Sequence, residues 1–274
     1  MRTELHTTRL EPAAGEARGV IVFLHGILGS GANFRSFARG VLDASPGWGA
    51  LLVDLRMHGA SLGMEPPHTL QRAAEDVARV LPSGALRLVM VGHSFGGKVA
   101  LEVTRLLGGD LDGCVVLDAT PGARDGGRGS ESVLHVVEVL KRLPRVFGER
   151  RAFVDALTAA GISRPTIDWL AMNLRRDGDT FVFRLDLDAI TGMLEDYFAR
   201  DLWSVVEAPP GRVTLDVVVG GRSAVFDEGD RARLQRAASP RVRAHVLAEA
   251  GHWVHVDDPD GLFRVVHGAL PPLS

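Results

Sequence analysis

Apolar residues in this chain come in short unbroken runs, with longer stretches of helical spacing between them. Gly19-Val20-Ile21-Val22-Phe23-Leu24-His25, Ala50 to Asp54, Leu86 to Val91, Gly113 to Asp118, Val213 to Val219 and Val242 to Leu247 read as strands, the first four buried on both faces. Helices are expected from about Asn33 to Leu42, from Thr69 to Leu81 with Val77, Val80 and Leu81 turned inward, and from just after Ser94 to Leu107, closed by Gly108-Gly109. Two more run from Asp227 to Ala237 and from Pro259 to Leu270, and Thr3 to Leu10 reads as an edge strand. Strands alternating with helices predict an α/β architecture, a mostly parallel sheet flanked by helices on both faces.

The alternation lapses between Pro121 and Glu207. A glycine-rich linker, Gly122 to Gly129, precedes helical spacing at Glu131–Leu143, Glu149–Ala160, Arg164–Asn173 and Asp188–Ala199. Ser163 is placed to cap the third of these with Pro165 in its first turn, and Leu174 to Leu185 reads as a small hairpin turning at Asp177-Gly178. The expected organisation is therefore a core made of residues 1–120 and 208–274, with a helical cap, 121–207, inserted after the strand ending at Asp118.

Candidate chemistry sits where one apolar run meets a helix. Gly92-His93-Ser94-Phe95-Gly96 has the Gly-x-Ser-x-Gly spacing in a strand-to-helix context, a sharp turn that holds the serine oxygen out of the backbone at a helix N-terminus. A serine needs a base within hydrogen-bond reach and a third group to orient that base. In open α/β sheets such groups gather beyond the carboxyl ends of strands. His252, after the last strand in Gly251-His252-Trp253-Val254-His255, is the candidate base, with His255 as the fallback. For the acid, the loop after Val219 carries Ser223 where an aspartate would be expected, and Asp227 is placed to cap the next helix; Asp118, ending its own strand, is favoured over Asp227. Asp216 is expected to face outward and Asp54 to be tied into its loop through Arg56 and His58. Lys98 is expected to point away from the site into a salt bridge. The backbone N–H of Phe95 and that of Ile27 or Leu28 are candidate oxyanion donors, and His25 is expected to brace their loop. Gly26 to Gly31 lacks the Lys-Ser/Thr of a phosphate loop.

Composition narrows the setting. The 274 residues are 46% hydrophobic and 24% charged, with a net charge of −3, which points to neither a nucleic-acid partner nor a solvating tail. No apolar run is long enough to span a bilayer and the N-terminus lacks a signal-peptide core, so a cytoplasmic monomer or weak homo-oligomer is expected. Cys114 is expected as a core residue, and the 10 histidines form no metal-binding spacing, so no metal and no cofactor are expected.

With these residues in view, the chain resembles the α/β-hydrolase superfamily over its full length, and more narrowly the YbfF-type bacterial esterases and their mitochondrial abhydrolase relatives. The resemblance is carried by His25-Gly26-Ile27-Leu28-Gly29-Ser30, Asp54-Leu55-Arg56-Met57-His58-Gly59-Ala60-Ser61, Gly92 to Lys98, Gly251 to His255 and the stretch from Asn173-Leu174 to Leu187-Asp188. It implies hydrolysis of carboxylic esters or acyl thioesters without a cofactor, and a triad acid at Asp118. The start of the cap, Ala123 to Gly129, departs from the family in its arginine and glycine content. Trp169, Met172, Met193, Phe198 and Trp253 are candidate pocket residues for small to medium acyl chains; plain core packing is the alternative for the four in the cap. A slow ligand-binding or signalling protein, or a lyase or perhydrolase using the same groups, are the other functional classes compatible with this pattern.

Overall fold

A computed structural model describes residues 3–12, 14–84, 86–124 and 131–273. The first part of the chain contains β1 (Thr7–Leu10), β2 (Gly19–Leu24), α1 (Arg35–Asp43), β3 (Trp48–Val53), α2 (Leu70–Val80), β4 (Arg87–His93), α3 (Phe95–Leu107) and β5 (Gly113–Leu117). There follow α4 (Glu131–Arg142), β6 (Val146–Phe147), α5 (Arg150–Ala159), α6 (Arg164–Leu170), β7 (Leu174–Asp177), β8 (Thr180–Phe183), α7 (Leu187–Ala199) and α8 (Trp203–Glu207). The chain closes with β9 (Thr214–Gly220), α9 (Glu228–Ala237), β10 (Val242–Leu247), α10 (Val254–Asp257) and α11 (Pro259–Ala269).

One seven-stranded sheet, in the order β1-β3-β2-β4-β5-β9-β10, forms the core. Only β1 runs antiparallel, against β3; every other pairing is parallel. The central strands are apolar throughout because both faces are covered. In β2, Val20, Val22 and Leu24 pack into one core and Ile21 and Phe23 into the other, on the opposite face. From β2 the chain first moves outward to β3, then returns to place β4 on the other side of β2. Strand ends diverge at such a reversal, which opens a crevice at the carboxyl edge of the sheet.

Between β5 and β9 the chain forms α4 to α8 and a small antiparallel sheet, β6-β8-β7. The expected hairpin is present, and Gly178 takes φ +59° in its turn. Its third strand, β6, and the short helices α8 and α10 were not legible from spacing, since two to five residues carry too little periodicity. Most of the glycine-rich linker, residues 125–130, lies outside the described residues.

Two buried side chains depart from expectation. Asp216 does not face outward: it is 1% exposed and is covered by Arg243 (Nη2, 2.6 Å) and His245 (Nε2, 2.6 Å) of the neighbouring edge strand β10. Among the described residues Lys98 makes no salt bridge; its Nζ is buried and donates to the main-chain carbonyls of Gly122, Tyr197 and Arg200. The reason is the position of α3, which is enclosed between the sheet and the segment inserted after β5.

Neutral imidazoles brace the loops at the crevice. His25 accepts the N–H of Leu55 at Nε2 (3.0 Å) and therefore donates from Nδ1 to the Gly26 carbonyl (2.7 Å). His58 accepts the N–H of Leu28 (2.9 Å) and donates from Nδ1 to the Arg56 carbonyl (2.8 Å). Asp54 is tied down, but by the N–H groups of Gly31 and Ala60 (each 2.8 Å) and by His6 (3.2 Å), not by Arg56 or His58. Arg56 instead pairs with buried Asp76 (2.8 Å).

Burial lowers the pKa of each bracing imidazole: His58 falls to about 3, with the neighbouring His25 adding to the effect, and His255 falls to about 4. Burial also lowers His25, and carries His93 well below its ordinary value. Unfolding releases imidazoles that take up protons near 6.5, whereas the folded forms refuse them. Between about pH 6.5 and the lowered values the unfolded state thus binds more protons, and stability falls as pH falls. Thermal melts should show a midpoint that drops steadily from about pH 7 to about pH 4, with a shallower slope in His58→Gln. An identical slope in that variant would contradict the account.

Candidate active site

Ser94 stands at the junction of β4 and α3 with φ 52° and ψ −117°, a conformation that costs energy for any residue with a Cβ. Its N–H donates to the Leu117 carbonyl at the end of β5 (2.9 Å). The tight crossing of strand and helix explains the flanking glycines. A Cβ on Gly92 would strike the Gly96 carbonyl, and one on Gly96 would strike that of Leu24. Phe95 opens the 13-residue helix α3, so its N–H belongs to the unpaired first turn.

Asp118 follows β5 directly. It is fully buried and also takes a positive φ, 44°. Among the described residues no lysine or arginine pairs with its carboxylate, which is held by donors: the N–H of Gly220 reaches Oδ1 (3.0 Å), while Ser223 Oγ (2.5 Å) and His252 Nδ1 (2.8 Å) reach Oδ2. Ser223 in turn accepts the N–H of Val225 (3.2 Å), which aims its hydroxyl proton at Asp118. The serine standing where an aspartate was expected is thus a partner of the carboxylate on the neighbouring strand. Asp227 is elsewhere: it caps α9 through the N–H of Asp230 (2.8 Å) and is exposed.

His252 has Nδ1 engaged with Asp118, which leaves Nε2 directed away from it; the side chain is 34% exposed. Gly251, just before it, is not left-handed, and its N–H is fixed by Asp257 (2.9 Å). The base loop is held further by His93, whose Nε2 donates to the His252 carbonyl (2.8 Å) with ring centroids 4.7 Å apart. His255, the fallback base, is half-buried with its ring packed against Phe34 and His93.

Ser94 and His252 line one cavity of about 360 Å³. Gly26, Ile27 and Phe95 border the same space, as do Trp169, Phe198 and Trp253 among the expected pocket residues. Leu28 does not, and its N–H is committed to His58, so of the two alternatives only Ile27 borders the cavity with its N–H not given to His58. Met172 and Met193 are also not on the wall. Met172 lies 39% exposed on the surface and Met193 is fully buried in the core. Tyr197, Leu194, Val136 and Val133 form much of the apolar wall and were missed, although Leu194, Tyr197 and Phe198 share one face of α7 by their spacing. Arg124 also borders the cavity, but its charge is met by Asp227 and Asp230. Among the described residues, no cluster of three or more His, Cys, Asp or Glu side chains is arranged to hold a metal ion, and no helix is long and apolar enough to cross a membrane.

The chain is similar to several known proteins. The mouse sn-1-specific diacylglycerol lipase ABHD11 is 29% identical over 257 residues, covering 91% of this chain and 80% of that protein. Esterase YbfF of Escherichia coli is 26% identical over 252 residues, covering 91% and 92%. Among solved structures, the Mycobacterium tuberculosis esterase Rv0045c superposes with a TM-score of 0.68 at 25% identity over 98% of this chain and 92% of its own. An esterase from a marine microorganism reaches 0.83 at 22% identity, covering 97% and 99%, a likeness of fold. The model of the alpha/beta hydrolase family matches residues 21–265, and the chain belongs to that family.

Proposed function

We propose that the protein is a carboxylic ester hydrolase that works through a covalent acyl-serine. The observation that carries this reading is the convergence of Ser94 and an imidazole already oriented by a buried carboxylate on one cavity. In the first step Ser94 Oγ attacks the acyl carbon as His252 Nε2 takes its proton, and the oxyanion gathers the N–H groups of Phe95 and Ile27. Collapse breaks the bond to the alcohol, which leaves with the proton from His252. Water then repeats the sequence on the acyl-serine, releasing the acid and restoring the serine. Asp118 holds His252 in the tautomer with Nδ1–H and stabilises the imidazolium that forms twice per cycle.

Residues 121–207 act in this reading as a cap whose apolar side chains, Tyr197, Phe198, Leu194, Val136 and Trp169, cover the serine. Such a wall suits an uncharged acyl chain of small to medium length. Thioesters fall within the same chemistry, since the attacking and accepting groups are unchanged. The names of the mouse and bacterial relatives, a diacylglycerol lipase and an esterase, make acylglycerols and simple esters the first substrates to try.

A series of p-nitrophenyl esters from acetyl to lauroyl, a diacylglycerol and matching acyl thioesters forms the test. Ser94→Ala should lower kcat/KM by about 10⁴ or more on every substrate the wild type turns over. Wild-type protein that binds these esters without releasing acid would favour a binding role instead. Asp118→Asn should cost about 10⁴ in kcat, because the wrong imidazole tautomer results, whereas Asp227→Asn, which touches only a helix cap and Arg124, should cost about twofold or less. The reverse order would move the acid to Asp227.

A further inference from the structure

Lys98 lies one turn beyond Ser94 on α3 and none of the chemistry above uses it. Its Nζ is the centre of a closed arrangement: the carbonyls of Gly122, Tyr197 and Arg200 each stand 2.8 Å away, and the Tyr197 ring centroid 4.5 Å away. An ammonium has three N–H donors, and here each has a carbonyl. The three carbonyls come from the two places where the inserted segment joins the core. Gly122 is on the outbound crossing, while Tyr197 and Arg200 lie at the carboxyl end of α7, where a helix leaves its last carbonyls unpaired and its dipole favours a cation. The crossings are also bonded to each other, Leu202 N–H to the Pro121 carbonyl (2.9 Å) and Arg124 N–H to that of Phe198 (2.7 Å). Lys98 is therefore what ties both of them to the helix that carries the serine.

The same turn of α7 supplies pocket wall. Leu194, Tyr197 and Phe198 border the cavity, and the Tyr197 ring sits against Phe95 with centroids 5.9 Å apart. We propose that Lys98 is a positioning residue that fixes the α7 wall at a set distance from Ser94, and so determines which acyl lengths the cavity accepts. The inference rests on reading the cavity as an ester hydrolase's acyl site. A compact tetrahedral ammonium suits three converging carbonyls; the larger planar guanidinium of an arginine would have to displace the wall to fit. Methionine has the length but no donor, which would leave three buried carbonyls without partners and free α7 to move.

The clasp needs the charged form, since a neutral amine keeps two N–H groups for three carbonyls. Burial pushes the Lys98 pKa down to about 7, opposed by Asp201, Asp230 and Asp196, with Arg124 acting in the same direction as burial. The Tyr197 phenol facing it is pushed up by burial and does not titrate in the range concerned.

The test compares full-length wild type with Lys98→Met on acetyl and octanoyl p-nitrophenyl esters. KM for the octanoyl ester should rise about tenfold in the variant, with a much smaller change in kcat for the acetyl ester. In wild type, the ratio of the two KM values, from which effects common to both esters cancel, should climb between about pH 6 and about pH 9 and be flat in the variant. Lys98→Arg, which keeps the charge but crowds the three carbonyls, should also shift the acyl-length profile and serves if Lys98→Met does not fold. Hydrogen exchange on Lys98→Met should quicken in residues 194–202 while β4 and β5 keep their wild-type rates. Wild type that turns over esters with an acyl-length profile shared by both variants overturns the role of Lys98 and leaves the hydrolase reading standing. Wild type inert on every ester overturns the hydrolase reading, and exchange unaltered at 194–202 then removes the clasp as well.

Discussion

A carboxylate buried without a cation has to be solvated by the protein itself, and Asp118 is solvated by a main-chain N–H from β9, a hydroxyl from the loop beyond it and the imidazole of His252. Each donor comes from a different part of the chain, so the cost of burying the charge is met only when β5, the loop after β9 and the loop after β10 are all in place. The imidazole's orientation is a by-product of that requirement. Because Ser223 and Gly220 supply uncharged donors, the carboxylate keeps its full negative charge for His252, which an arginine in their place would have taken.

Geometry at the neighbouring strand end is a matter of volume. Strand β4 and helix α3 cross so closely that Gly92 and Gly96 have main-chain carbonyls where side chains would be, and Ser94 between them is held at φ 52°. Strain of this kind persists only where the surroundings over-determine it. Here the surroundings include Leu117 on β5 and imidazoles that are neutral because they are buried: His58 secures the loop before the 3₁₀ turn Gly31–Phe34 through Leu28, and His93 secures the loop of His252 through its carbonyl. In the proposed reading, the neutral imidazole links in the loops around Ser94 and His252 add no charge of their own where charge develops during reaction.

The inserted segment contributes the apolar half of the cavity, and its attachment to the core is polar. Tyr197 and Phe198 are wall residues by their side chains, while their carbonyls belong to the joint around Lys98 and Arg124. Shape of the proposed acyl site and anchoring of the segment are therefore properties of the same helical turn. In the proposed reading, substrate range is governed at this joint and bond cleavage at the strand ends.

Local pattern alone determined the α/β alternation, the elbow around Ser94, the cap of α9 by Asp227 and the pairing of Ser94, His252 and Asp118 as candidates, because strand burial, turn sterics and helix capping are short-range and leave regular spacing. The tertiary structure decided what depends on neighbours distant in the chain. Asp216 became buried because β10 lays Arg243 and His245 over it, and Leu28 lost its N–H to His58 thirty residues away. Met172 and Met193 could not be told from wall residues, since hydrophobicity does not say which face of a helix meets a cavity. Lys98 became a buried link instead of a surface charge because the carbonyls it needs converge only after the inserted segment has closed over α3.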